Sequence, residues 1–230
     1  VSGRGLRTPT GSRGLAYEHV AFDLDGTLVD SRADLAASVN HVLRELRRAE
    51  IDPTTCCEYV GEGARLLVER ALGPDGQALL PRALELFMTY YGAHLLDATR
   101  PYPGIVELLG ALAERGVALS VLTNKPVAMS RAIIEGLGLV RRFVEVVGGD
   151  SLPVRKPDPA GVEHLRARTG TAREHMLLVG DSGIDVRTAR AAGVAFCGVA
   201  WGLTPGALLA AHPERVVSEP RELLALVAPS

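Results

Sequence analysis

The stretch His19-Val-Ala-Phe-Asp-Leu-Asp-Gly-Thr-Leu-Val-Asp-Ser31 decides the reading of this chain. An apolar run bounded by acids and a glycine reads as a short buried strand, His19 to Leu24, whose carboxyl end carries Asp23 and Asp25. Four more β-rich runs follow, at Val117 to Leu122, Phe143 to Val147, Met176 to Val179 and Val194 to Val199. Amphipathic stretches separate them at Gly104 to Arg115, Val127 to Gly136, Pro159 to Arg168 and Gly183 to Ala192. Strands alternating with helices in this way predict an α/β core: a doubly wound, Rossmann-like parallel sheet with helices on both faces. One interval breaks the alternation. Between the first strand and Pro101 lie about seventy residues with helical patterns at Ala33 to Arg48, Glu62 to Leu72 and Gly76 to Leu96 but no convincing strand. That predicts an inserted all-helical cap, 32–101, on a core made of 17–31 and 102–230, joined through hinges at Asp30 to Arg32 and Thr99 to Pro103. Residues 1–16 carry three arginines and no acid or apolar run, and are expected to be a solvated tail.

Composition narrows the partners. With 47% hydrophobic residues, 23% charged residues and a net charge of −2, the 230-residue chain has no basic field for nucleic acid or an anionic membrane. A small molecule is the expected partner; composition says nothing of oligomeric state. The uncharged stretch from Ala191 to Ala211 contains four glycines and Pro205, so it reads as strand, loop and helix, not as a membrane span. Three cysteines, Cys56, Cys57 and Cys197, cannot all pair, which points to reduced thiols and a cytoplasmic location.

Arginine supplies 23 of the 25 cations, leaving only Lys125 and Lys156 as lysines. Where arginine serves for general surface charge, a retained lysine marks a place that needs a compact ammonium. Asn124, one of two asparagines, adjoins Lys125, so 123–126 is a candidate site; for Lys125 itself a surface role and a functional one stay open. In open parallel sheets ligands bind beyond the carboxyl ends of the strands. Those ends carry Asp23, Asp25, Gly26, Thr123, Asn124 and Asp181, with Lys156 before a helix and Asp185 four residues after Asp181. An isolated Asp-x-Asp is usually a solvated pair. Here the acids converge with a hydroxyl and an ammonium, and Asp23, Asp25 and Asp181 form an all-oxygen set suited to Mg²⁺ and a phosphate. Gly26 leaves room for its amide to approach a phosphate oxygen, and Thr123 can donate another hydrogen bond.

The runs FDLDGTLVDS (22–31), LTNKP (122–126), RKPDP (155–159) and VGDSGIDVRTARAAG (179–193) resemble the four motifs of the haloacid dehalogenase superfamily. The likeness is to its phosphatase branch and, through VGEGARLLVERAL (60–72), PYPG (101–104) and Val199-Ala-Trp-Gly202, to the phosphoglycolate phosphatases. The resemblance implies a Mg²⁺-dependent phosphomonoester hydrolase working through an aspartyl-phosphate. Asp23 would be nucleophile and Asp25 general acid and base; Thr123, Asn124 and Lys156 would bind phosphate and line the site. Metal would be held by Asp23, the Asp25 carbonyl and Asp181, with Asp185 orienting its water or Lys156. Arg65, beside two loop glycines, is a candidate for the carboxylate of a small substrate such as 2-phosphoglycolate. The alternatives are another small monoester (a sugar phosphate or nucleotide), pyrophosphate, a phosphomutase, or a non-catalytic module on the same scaffold. Gly180-Asp-Ser-Gly183 also matches the nucleophile signature of trypsin-like proteases, but a preceding strand, a following helix and the lack of an Ala-His-Cys context speak against it. Trp201, the methionines and the histidines read as core or loop packing.

Overall fold

The computed structural model describes residues 16–227, so the expected N-terminal tail lies almost wholly outside the described residues. Six parallel strands form the main sheet: β1 (His19–Phe22), β4 (Ala118–Leu122), β5 (Glu145–Val147), β6 (Met176–Gly180), β7 (Ala195–Val199) and β8 (Val216–Val217). A two-stranded antiparallel ribbon, β2 (Val29–Asp30) and β3 (Arg100–Pro101), stands apart. The main sheet runs β5-β4-β1-β6-β7-β8, with His19 opposite Ala118 on one side and Met176 on the other. The order of connection reverses between β1 and β6, the switch point at which a doubly wound fold opens a crevice.

Side chains alternate strictly. Val20, Phe22, Leu119, Val121, Leu177, Val179, Cys197 and Val199 enter one apolar cluster, while Ala21, Leu122, Met176, Leu178 and Phe196 enter the other. The first cluster takes Leu108 and Leu112 of α5 (Ile105–Glu114), Ile133 of α6 (Val127–Gly136) and Leu223 of α10 (Glu222–Val227). The second takes Val162 and Leu165 of α7 (Ala160–Thr169), Val186 and Ala189 of α8 (Gly183–Ala192) and Leu208 of α9 (Pro205–Ala210). Burial on both faces is why these strands read as unbroken apolar runs. As expected, 191–211 is the end of α8, β7, a loop and α9, and no helix among the described residues is long and apolar enough to cross a membrane. All three cysteines are buried and unpaired.

Between β2 and β3 the chain is helical: α1 (Arg32–Glu45), α2 (Pro53–Glu58), α3 (Ala64–Leu72) and α4 (Leu80–Ala93). The single helix expected over 76–96 is instead a 3₁₀ turn, Pro74–Leu79, followed by α4. Pro81 explains the break: without an N–H it suits a first helical turn and would clash inside one. Helix α2 is too short for a periodic signal; Asp52 caps it by accepting from Thr54 N (2.9 Å) and Thr55 N (3.0 Å). At the ribbon, the buried Asp34 carboxylate accepts from Ala98 N, Thr99 N and Thr99 Oγ1, clamping the returning chain to α1.

Candidate active site

Asp23 leaves β1 still in register, its N–H donating to Val179 O at 2.9 Å, so its carboxylate stands at the switch point. The carboxylates of Asp23, Asp181 and Asp185 each offer an oxygen within 4.8 Å of the others. Their remaining oxygens are differently engaged. Asp185 is fully used: Oδ1 accepts from Lys156 Nζ at 2.6 Å, and Oδ2 from Ser182 Oγ (2.6 Å) and Ser182 N (3.2 Å), a capping box that opens α8. Gly180 permits this, because a Cβ there would collide with the Asp185 carboxyl group. Asp23 Oδ1 accepts from Leu24 N at 2.7 Å and lies 3.0 Å from Lys156 Nζ; Asp181 Oδ2 accepts from Leu203 N at 2.8 Å. Asp23 Oδ2 and Asp181 Oδ1 have no protein donor among the described residues.

The second acid of the loop is held separately. Asp25 accepts from Ser31 Oγ at 2.6 Å and from Lys125 Nζ at 2.6 and 2.8 Å, and that ammonium sits 4.8 Å from the centre of the Tyr91 ring. Lys125 is therefore a buried partner of Asp25 and not a surface charge. Both lysines of the chain are in this one site. Burial opposes each ammonium, but Asp185 and Asp23 outweigh it for Lys156, and Asp25 with Tyr91 for Lys125, so both pKa values rise.

Burial, with Asp185 and Asp25 adding to it against Lys156, pushes the Asp23 carboxyl up to about 6. Burial and the neighbouring Asp23 and Asp185 raise Asp181 well above the carboxylate range. Fully ionised, the four carboxylates would exceed the two ammonium groups by two negative charges in a poorly solvated pocket. Two donor-free carboxylate oxygens and that charge deficit fit a hard divalent cation.

Thr123 and Asn124 line the same cavity as Asp23, Asp25, Lys125 and Asp181. Thr123 Oγ1 accepts from Lys125 N at 3.2 Å. Asn124 Nδ2 donates to Lys156 O and to Gly61 O, both at 2.9 Å, tying the loop before α3 to the core. Two expected contacts are not formed. The Gly26 N–H donates to Val29 O at 2.9 Å, closing the turn after β1, so it is not available to a phosphate; the glycine instead makes room for the Asp181 carboxylate, which a Cβ would strike. Arg65 is exposed and does not line the cavity, because as the second residue of α3 it points away from the face that Ala64 and Leu67 present. Other contributors lie in or beside the motif runs, whose pattern assigns them no role in the site: Ser31 on Asp25, Leu203 N and Gly202 against Asp181, and Trp201, whose Nε1 donates to Thr27 O at 3.1 Å. The Ser182 hydroxyl is spent on its helix cap and no histidine lines the cavity, which removes the protease alternative.

Residues 20–199 match the model of the haloacid dehalogenase-like hydrolases, and the chain belongs to that family. Among its relatives, a phosphoglycolate phosphatase of Rhodospirillum rubrum is 44% identical over 191 residues, covering 80% of this chain and 79% of that one. A phosphoglycolate phosphatase of Mesorhizobium japonicum is 36% identical, covering 86% and 89%. A crystal structure of a predicted phosphoglycolate phosphatase from Haemophilus somnus superposes with a TM-score of 0.88 at 31% identity, covering 93% of this chain and 99% of that one.

Proposed function

We propose that this protein hydrolyses a small carboxylate-bearing phosphomonoester, 2-phosphoglycolate, through a phosphorylated Asp23. The chain is a phosphatase. What carries the fuller reading is the convergence of Asp23 and Asp181 beside the buried Lys156, with Asp25 held independently a few residues away. An Asp23 oxygen attacks phosphorus as the ester P–O bond breaks, and Asp25 gives a proton to the departing alkoxide. Asp25 then takes a proton from water, which attacks the phosphorus of the aspartyl-phosphate; phosphate leaves and the Asp23 carboxylate is restored. Lys156 restrains Asp23 and, with Thr123, meets phosphoryl oxygens; Ser31 and Lys125 fix the orientation of Asp25. Asp23, Asp181 and the Asp25 carbonyl would hold Mg²⁺, which when bound neutralises charge on the phosphoryl group.

The inserted helices act as a cap over this site. The cleft between them and the core is lined on the cap side by Leu35, Leu67, Phe87 and Tyr91 and on the core side by Asp23, Asp25 and Asp181. The relatives' names favour phosphoglycolate as substrate. A phosphate-release screen is expected to give its highest kcat/KM with 2-phosphoglycolate, against sugar phosphates, nucleotides and pyrophosphate, and to lose activity to a divalent-metal chelator. Preference for another monoester would replace the substrate; full turnover in chelator would refute the metal-assisted reaction.

A further inference from the structure

Asp181 is almost fully buried, yet among the described residues its carboxylate has a single protein donor, Leu203 N–H on Oδ2 at 2.8 Å. The terminal torsion of an aspartate is broad and roughly two-fold, so burial alone does not decide which oxygen is left for a ligand. That choice falls to the loop between β7 and α9, 200–204. Glycines let this loop and the turn after β1 close on the acid from two sides. A Cβ at Gly202 would strike the Asp181 side chain, and one at Gly26 would strike both Asp181 and Leu203.

An amide places an oxygen only as well as its own loop is placed. On one side Ala200 N donates to Val217 O at 2.9 Å and ties the loop to β8. On the other, among the described residues, no backbone bond joins the loop to the turn after β1. The bridge there is the Trp201 indole, whose Nε1–H donates to Thr27 O at 3.1 Å. Thr27 is fully buried and stands two residues after Asp25, so this bond is shielded from water. It joins the loop that holds Asp181 to the turn that carries Asp25. The indole itself packs beside Tyr102, ring centres 6.4 Å apart, and does not line the catalytic cavity.

We propose that Trp201 is a positioning residue for the cation site: its indole N–H fixes the 200–204 loop, whose Leu203 amide engages Asp181 Oδ2 and so leaves Oδ1 to a divalent cation. This rests on the reading of Asp23 and Asp181 as holders of that cation. Trp201 acts through Leu203 and the turn after β1, one step removed from the ligand itself. Hydrogen bonds that orient a metal ligand in this way are worth about 10- to 100-fold in affinity.

The test measures Mg²⁺ binding to the full, metal-stripped chain by calorimetry, without substrate. Trp201→Phe keeps a ring in place and removes the N–H. Gly202→Ala keeps the indole and presses a methyl group against Asp181. Each variant, shown to be folded by thermal melting, is expected to raise the Kd for Mg²⁺ about tenfold or more. The Mg²⁺ concentration for half-maximal turnover should rise with it, so that excess Mg²⁺ recovers turnover, which a general loss of structure would not allow. Trp201 is the only tryptophan of the chain, so the emission of the unaltered protein also reads the tether: it should change on Mg²⁺ addition with the calorimetric Kd. That titration does not depend on any variant folding. An unchanged Kd in Trp201→Phe, or flat emission while calorimetry records binding, overturns the tether and leaves the cation reading intact. An unaltered protein that binds no Mg²⁺ overturns both.

Discussion

On the core side of the cleft stand four carboxylates and two ammonium groups, nearly every one with a named partner at 2.6 to 3.0 Å. On the cap side stand leucine, phenylalanine, glycine and one tyrosine. The charges of the core wall are paired with one another, Lys156 with Asp23 and Asp185 and Lys125 with Asp25, so none can move without stranding another. The cap wall has no such mutual dependence. Chemistry is thus locked into the half that cannot vary cheaply, and selection is left to the half that can.

Substitutions on the two walls should differ accordingly. Asp23→Asn removes the proposed nucleophile, and kcat in a phosphate-release assay is expected to fall at least about 10⁴-fold; activity near the parent level would break the contrast at its centre. Lys156→Met strands Asp23 and Asp185 in a buried site and should destabilise the fold by roughly 3–5 kcal/mol in urea titration. A loss under about 1 kcal/mol would mean that the core wall is less interlocked than its geometry implies.

Far from the cleft, His19 sits at the start of β1, bonded to Ser120 Oγ (2.9 Å) and Thr169 Oγ1 (3.1 Å). Burial lowers its pKa from 6.5 to about 4. The folded state therefore favours the neutral ring: its stabilisation is complete above pH 6.5 and is lost as pH falls towards 4, by about 3 kcal/mol. His19→Gln should flatten that part of the stability profile; an identical acid limb in the variant would reject the assignment. Lys125→Met, which leaves Asp25 with Ser31 alone, is expected to lower kcat by about 10²-fold, read against an unchanged substrate preference. Smallest of all, Arg65→Ala should change stability by less than about 0.5 kcal/mol, since its side chain is exposed.

Much of the core is legible because its periods are unambiguous. A strand buried on both faces reads as an apolar run, and acids at its end declare themselves by position. The scarcity of lysine singles out Lys125 and Lys156, both of which lie buried in the site, although Lys125 gives no sign of choosing Asp25. Legibility falls where a residue's role depends on which way it faces. Gly26 reads as an amide donor, but its N–H closes a turn. Arg65 reads as a substrate ligand, yet the register of α3 turns it outward while Ala64 lines the cavity. Tyr91 carries no motif at all.

Alternation of strand and helix, the long helical interruption after β1 and the order of acids at strand ends are properties of the chain in one dimension, and they suffice for the α/β class and the hydrolase chemistry. Which oxygens of Asp23 and Asp181 are left without a donor, which carboxylate each lysine pairs with, and that a neutral wall covers the site are set by distances between residues that can lie more than a hundred positions apart, as Lys156 and Asp23 do. Such contacts arise only when packing fixes the rotation of each helix and the register of each strand, and no local pattern encodes that rotation.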